Sequence, residues 1–184
     1  MIYLFTVGLS LSGKSWLVEK IKERFPKSFI TIESRSIHDM LNTIEPFQDD
    51  NSPKGSSYEL RQEFTKEIRE LLIKLFAKEG LNIIQDSCNL KKEERQRRVL
   101  AVREIVPDVK IFLIFVDTHK KEIERRANDL DKEKGNGVWK DLFIKQIEEF
   151  DIPTKEEADF FIHYNGKDWE SVIEKISQVL EDEV

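Results

Sequence analysis

The sequence predicts an α/β fold in which a five-stranded, mostly parallel sheet carries helices on both faces and a helical lid. Three observations predict it. Short apolar runs of β type recur at residues 2–7, 29–32, 81–84, 111–116 and 160–163, separated by long stretches of helical periodicity. That alternation builds a parallel sheet covered on both sides. A glycine-bounded loop joins the first run to the first helical stretch, and two later helical patterns are joined by Lys134-Gly135-Asn136-Gly137.

The first run, Ile2-Tyr3-Leu4-Phe5-Thr6-Val7, leads straight into Gly8-Leu9-Ser10-Leu11-Ser12-Gly13-Lys14-Ser15. This is the P-loop spacing, so together with the strand pattern and the helical lid a P-loop NTPase fold, nucleotide-kinase-like, is expected. Glycines at both ends let successive backbone N–H groups point into one concavity that surrounds a phosphate. Lys14 supplies a mobile charge for the β and γ oxygens of ATP, and Ser15 offers a hydroxyl to Mg²⁺. The helix that follows, from Trp16 to Arg24, directs its positive dipole end at the same anion and buries Leu17, Ile21 and Phe25.

After the second run comes Glu33-Ser34-Arg35-Ser36-Ile37-His38-Asp39, a short polar helix start. Residues 47–55 are turn-rich and aperiodic, which predicts a mobile loop. The longest helix is expected over 58–78, capped by Ser56-Ser57-Tyr58-Glu59 and stopped by Gly80. Its expected buried stripe is Leu60, Phe64, Ile68, Leu71, Leu72 and Leu75.

The third run ends in Gln85-Asp86-Ser87-Cys88-Asn89-Leu90, which sets an acid at the carboxyl end of a buried strand, the edge where open parallel sheets bind ligands. Asp86 is expected to support Mg²⁺ or orient an acceptor, or else to cap the next helix; Asn89 is expected to reach a substrate hydroxyl or phosphate. Clusters at Lys91-Lys92 with Arg95, Arg97 and Arg98, and at Lys120-Lys121 with Arg125-Arg126, are interleaved with glutamates and read as solvated helix faces or as a local basic groove. The pair at about 120–132 and 139–150 flanks a two-glycine hinge, so the lid is placed at about 119–150.

Composition bounds the rest. A chain of 184 residues with 39% hydrophobic content is sized for one core, so one domain over 1–184 is expected. Net charge −6 excludes a protein that coats nucleic acid with its whole surface. The lone cysteine Cys88 excludes an internal disulfide and reads as a small buried filler. No run of about 18 apolar residues is present to span a bilayer, and the amino end does not read as a signal peptide. A cytoplasmic protein without a membrane partner is expected. The three histidines lie far apart, with no metal-ligand spacing, which predicts no structural zinc. The string Asn165-Gly166-Lys167-Asp168 has the wrong order for guanine selection.

Three stretches together resemble the phage-type polynucleotide kinases and their zeta-toxin-like relatives among P-loop phosphotransferases. They are residues 8–15; Ile84 to Leu90 with Arg95 and Arg98; and the passage from Val116-Asp117-Thr118 through Glu124-Arg125-Arg126 to Phe150-Asp151-Ile152-Pro153 and Glu157. The resemblance implies ATP and Mg²⁺ as donor, with Arg125 or Arg126 as lid cations near the phosphates or the base. It also implies a hydroxyl acceptor activated by an aspartate after the second strand. Here the sequence departs from the family, carrying Arg35 and His38 where Asp and Arg are expected. A guanidinium is no base near neutral pH, which leaves Glu33, Asp39 and Asp86 as candidates. Arg35 and His38 are expected instead to bind an acceptor that already bears phosphate. The leading function is transfer of the γ-phosphoryl of ATP to a hydroxyl of a nucleic-acid 5′ end, a nucleoside or a small metabolite. The alternative is a nucleotide-dependent switch or ATPase module without kinase chemistry.

Overall fold

The computed structural model describes residues 1–44, 56–135 and 137–181. The segment 47–55, the hinge residue Asn136 and residues 182–184 of the acidic tail lie outside the described residues, as does the side chain of Ser56 in the expected cap. Along the chain run β1 (Ile2–Val7), α1 (Lys14–Arg24), β2 (Ile30–Glu33), α2 (Ser34–Leu41), α3 (Ser56–Lys78), β3 (Ile83–Asp86), α4 (Lys92–Ile105), β4 (Lys110–Val116), α5 (Lys120–Lys134), α6 (Val138–Glu149), β5 (Phe160–Tyr164) and α7 (Trp169–Glu181). A single 3-10 turn, Lys155–Glu157, precedes β5.

All five strands are parallel, in the order β2-β3-β1-β4-β5. This is a P-loop NTPase fold. Residues of β1 alternate between two cores, which is why the strand is apolar on both faces apart from Thr6. Ile2 and Leu4 pack with α1 and α7 through Leu17, Ile21, Ile173 and Ile176. Tyr3, Phe5 and Val7 pack on the other face with Ile37 of α2, Ile73 of α3 and Val102 of α4. A third, small cluster joins Leu9 of the first loop to Ile123 of α5 and Phe143 of α6, so the helical pair sits on the loop through apolar contact.

Two elements differ from the sequence expectation. β3 begins at Ile83 rather than 81, because the chain after Gly80 is still completing the helix end: Leu81 N–H donates to the Phe76 carbonyl and Leu81 remains solvent-facing. Asn82 then spends its Oδ1 on the N–H of Ile2, seating β1 beside β3. The second difference is larger. The residues that α3 buries are Arg61, Thr65, Arg69, Ile73 and Ala77, whereas Phe64, Leu71 and Leu75 of the expected stripe are exposed, Leu71 at 67%. Ile68 and Leu72 are partly buried at the margin. The helix is rolled so that a polar row at i, i+4 spacing faces inward, because Ser34 and His38 of α2 and Asn42 at its C-cap offer partners to Arg61 and Arg69.

A buried ion pair fixes the far side of the sheet edge. Arg95 forks onto Glu157 (2.7 and 3.1 Å) and also donates to the carbonyls of Asn89 and Leu90. The pair thereby clamps the turn after β3 to the approach of β5, satisfying most of the guanidinium and offsetting its burial.

The roll of α3 has a direct test. Ile73→Ala should cost about 2–5 kcal/mol, whereas Leu71→Ser should stay within about 0.5 kcal/mol. Urea unfolding of both variants reads the difference; equal costs would show the apolar stripe to be the buried one.

Candidate active site

The first loop is shaped by its carbonyls. Gly8 lies so close to β4 that a Cβ there would stand 2.6 Å from the Val116 carbonyl oxygen, which demands glycine. Beyond it, three carbonyls are held by side chains: Leu9 by Lys14 Nζ (2.7 Å), Leu11 by Arg126 Nη1 (2.8 Å) and Ser12 by the Thr118 hydroxyl (2.6 Å). Leu11 sits at φ 64°, a left-handed conformation unusual for a branched side chain. Gly13, at φ 96°, starts α1 with no side-chain cap, and no acid stands in the first turn. The first amides of the helix and its dipole are thus presented at the mouth of the loop, an anion site by construction.

Lys14 is buried and Ser15 follows it. Asp86, in register with Glu33 across the β2–β3 pair, closes this side. Burial pushes the Asp86 carboxyl above its ordinary value of 3.8; a hydrogen bond from Ser15 and the Lys14 ammonium work the other way, and the neighbouring Glu33 adds to the rise. Ser15 hydroxyl and Asp86 carboxylate are hard oxygen donors on one spot, which suits a Mg²⁺ that keeps several waters and takes its remaining ligands from phosphate.

Helices α5 and α6 couple to the loop through Arg126, which the sequence singles out, and through Gln146, which carries no sequence signal. Gln146 of α6 accepts from the Ser10 N–H (2.7 Å) and donates to the Ser10 hydroxyl (2.9 Å). Arg126 is shared between Leu11 and Glu122, whereas Arg125 is exposed and paired with Glu122 and Asp129. The two guanidiniums hold the Glu122 carboxyl down at about 2.

The remaining expected residues fall in different places. Asn89, at φ 50°, is committed internally: it donates to the Thr6 carbonyl (2.6 Å), and its Oδ1 accepts from Gln85 and Arg98. It serves as the fastener between β1 and the turn after β3, leaving little capacity for a substrate. Arg35 is exposed on α2, facing Asp39. His38 accepts at Nε2 from Arg61 (2.9 Å). Trp16 stands half-exposed on α1, edge-on to Trp169 at 6.5 Å. Cys88 is partly buried beside the Ser10 hydroxyl (3.5 Å). Among the described residues no three His, Cys, Asp or Glu gather at metal-binding distance, and no helix is long and apolar enough to cross a membrane.

Comparison with known proteins bears on the family and the fold. A family model described as an AAA domain matches residues 4–142. No curated protein sequence matches the chain. Among solved structures, a Chloroflexus aurantiacus protein assigned as a kinase superposes with TM-score 0.75 at 10% identity, covering 96% of this chain and 97% of its own. A sugar kinase from Janibacter gives 0.62 at 17%, covering 98% and 95%. The APS kinase of Mycobacterium tuberculosis, solved with AMPPNP and APS, gives 0.59 at 16%, covering 97% and 96%. At these identities the likeness is one of fold.

The raised pKa of Asp86 gives a stability prediction with a definite sign. The folded chain binds this proton more tightly than the unfolded one, so the group favours folding most below its unfolded value. That contribution is lost as pH rises through the folded value. At pH 7 the ionised carboxylate therefore opposes folding. Asp86→Asn should raise the melting temperature of the nucleotide-free protein, by about 2–4 °C for each kcal/mol relieved, while lowering Mg²⁺-dependent nucleotide affinity. A lower melting temperature at pH 7 would contradict the assignment.

Proposed function

We propose that this chain, which belongs to the AAA-domain family, is a P-loop kinase that transfers the γ-phosphoryl group of ATP to a hydroxyl acceptor. The acceptor classes consistent with its sequence are a nucleic-acid 5′ end, a nucleoside and a small metabolite, the first of them suggested by the motif resemblance to the polynucleotide kinase and zeta-toxin-like group. The observation that carries the proposal is the juxtaposition of two unlike halves at one strand edge: the tethered loop with Lys14 on β1, and the Glu33–Asp86 carboxylate pair on β2 and β3.

Phosphoryl transfer asks a protein mainly for position and charge neutralisation. The amides at the start of α1 and the Lys14 ammonium receive the β and γ phosphates. Ser15 and Asp86 would hold Mg²⁺, which when bound offsets negative charge building on the phosphate oxygens. Lys14 is held on the Leu9 carbonyl, within reach of the loop mouth, and exchanges that carbonyl for phosphate oxygens. Arg126, on the Leu11 carbonyl, and Arg125, at the lid surface, are the cations that lid closure would bring toward the phosphates.

With Asp86 committed to the metal side, the acceptor hydroxyl falls to Glu33. This carboxylate sits one strand further from the loop, at the carboxyl end of β2. It accepts from the Ser36 hydroxyl (2.9 Å) and remains open to solvent, so it can take a hydroxyl proton or orient the nucleophile. Asp39 is drawn instead to Arg35 on the exposed face of α2.

The test is transfer of label from γ-labelled ATP to a panel of 5′-hydroxyl oligonucleotides, nucleosides and small alcohols. Lys14→Ala should abolish nucleotide affinity and transfer together. Glu33→Gln should lower kcat by about 10²–10⁴-fold with ATP affinity unchanged. Bound ATP with no labelled acceptor, or an unaffected E33Q enzyme, would overturn the respective assignments.

A further inference from the structure

The inward row of α3 leaves buried cationic N–H groups that the phosphate loop does not use. Arg69 and Arg98 are 8% and 4% exposed, and Thr65, one turn before Arg69, is 4% exposed. Arg98 spends Nη1 on Gln85 and Asn89, and Arg69 spends Nη1 on the Ser34 hydroxyl (3.2 Å). Arg69 Nε, Arg98 Nε and Nη2 and the Thr65 hydroxyl are buried without a hydrogen-bond partner. Buried donors of this kind each cost free energy, and charged ones most, so a group of them in one region calls for an occupant.

The nearby carboxylates do not supply it. Glu94 is taken by Lys66 at 2.5 Å and stands 3.8 Å from Arg98, and Glu70 is taken by Arg97 at 2.7 Å. Arg69 and Arg98 instead repel each other: desolvation first, then the Arg98 charge, lowers Arg69 to about 10. Both also act on the buried hydroxyl of Tyr3. Ser34, which Arg69 reaches, directly follows Glu33, so this group of donors is tied to the start of α2, next in sequence to the acceptor carboxylate.

We propose that Arg69, Arg98 and Thr65 form a recognition site for a tetrahedral oxyanion borne by the acceptor, a phosphate or sulfate ester, so that the hydroxyl substrate of this kinase is itself anionic. The identity of the ligand as an acceptor rests on the phosphotransferase reading; the anion site does not. A tetrahedral anion is favoured over a carboxylate because donors come from two separate guanidiniums and a hydroxyl, whereas a planar carboxylate is met by a single guanidinium fork. This shifts the recognition expected of Arg35 and His38 to α3 and α4, since Arg35 is exposed and His38 serves Arg61.

The test uses the full chain saturated with AMPPNP and Mg²⁺, which fills the phosphate loop, and titrates it calorimetrically with inorganic phosphate, sulfate and acetate. Phosphate or sulfate should bind and acetate at least tenfold more weakly; the stronger of the first two identifies the ester class. Arg69→Met should weaken binding at least tenfold and Thr65→Val about threefold, with Arg69→Lys recovering part of the loss. Arg97→Met, on the surface beside Glu70, should change nothing. Should Arg98→Met fail to fold, the Arg69 and Thr65 variants carry the result. Anion binding that is absent, unchanged in both variants, or equal for acetate overturns the site. AMPPNP affinity is measured first in the same samples: its loss sinks the kinase reading alone, and the titration then proceeds on the nucleotide-free chain. In the transfer assay, glycerol 3-phosphate should accept label better than glycerol by at least tenfold in kcat/KM.

Discussion

The structure depends on how the loop after β1 has its carbonyls turned outward and fastened. A peptide unit has two polar ends, so fixing one end in a given direction fixes the other. With the carbonyls of Leu9, Leu11 and Ser12 engaged by Lys14, Arg126 and Thr118, the backbone is held in the curve that offers its amides to an anion. Gly8 sets the depth of that curve by touching the Val116 carbonyl at a distance no Cβ permits. Three of the fasteners come from different places: Thr118 from the turn after β4, Arg126 from α5, and Gln146, on the Ser10 amide, from α6. The loop is consequently a junction between the sheet and helices α5 and α6. If these helices act as the proposed lid, a movement that withdrew Arg126 or Gln146 would change the loop itself.

A second buried polar layer supports the neighbouring turn. Thr6, at the end of β1, accepts from the Ser87 N–H, and its carbonyl receives Asn89. Gln85 links Tyr3 to Ser87 and Asn89, and Arg98 completes the set. Such a network stabilises only when its members are satisfied, and it does so by fixing one arrangement. Here the satisfied portion holds Asp86 at the strand end, and the unsatisfied portion lies further out toward α3. On the proposed anion site, the division would separate structural from ligand-facing roles within the same layer.

The strands and the phosphate loop were legible in the sequence because their signals are local. Parallel strands buried on both faces read as short apolar runs, and a glycine-bounded loop followed by Lys-Ser has a meaning that does not depend on distant residues. The orientation of α3 was not legible. Two helical stripes compete on it, one apolar and one polar, and hydrophobic periodicity selects the apolar one. The structure selects Arg61, Thr65 and Arg69, and the two arginines find partners in α2 some twenty to thirty-five residues away. Gln146 carried no signal either, since one glutamine in a helix gains meaning only from Ser10, separated from it by 136 positions. Asn89 was readable as important but not as an internal fastener, because its left-handed backbone appears only in three dimensions.

Departures of this kind from local consistency concentrate where a chain serves something besides its own stability. Burying two arginine side chains and leaving leucines in water is a costly way to fix a helix; an apolar stripe turned inward would stabilise α3 more. The satisfied contacts of Arg61 with His38 and Asn42 explain part of the arrangement as a tie between α2 and α3. They do not explain Arg69 and Arg98, two like charges in mutual repulsion under the strand edge that carries Glu33 and Asp86. Opposite signs thus stand close together there, carboxylates toward the loop and guanidiniums toward α3. A substrate with a hydroxyl at one end and negative charge at the other matches both and would be oriented by them along a single line toward the phosphate loop.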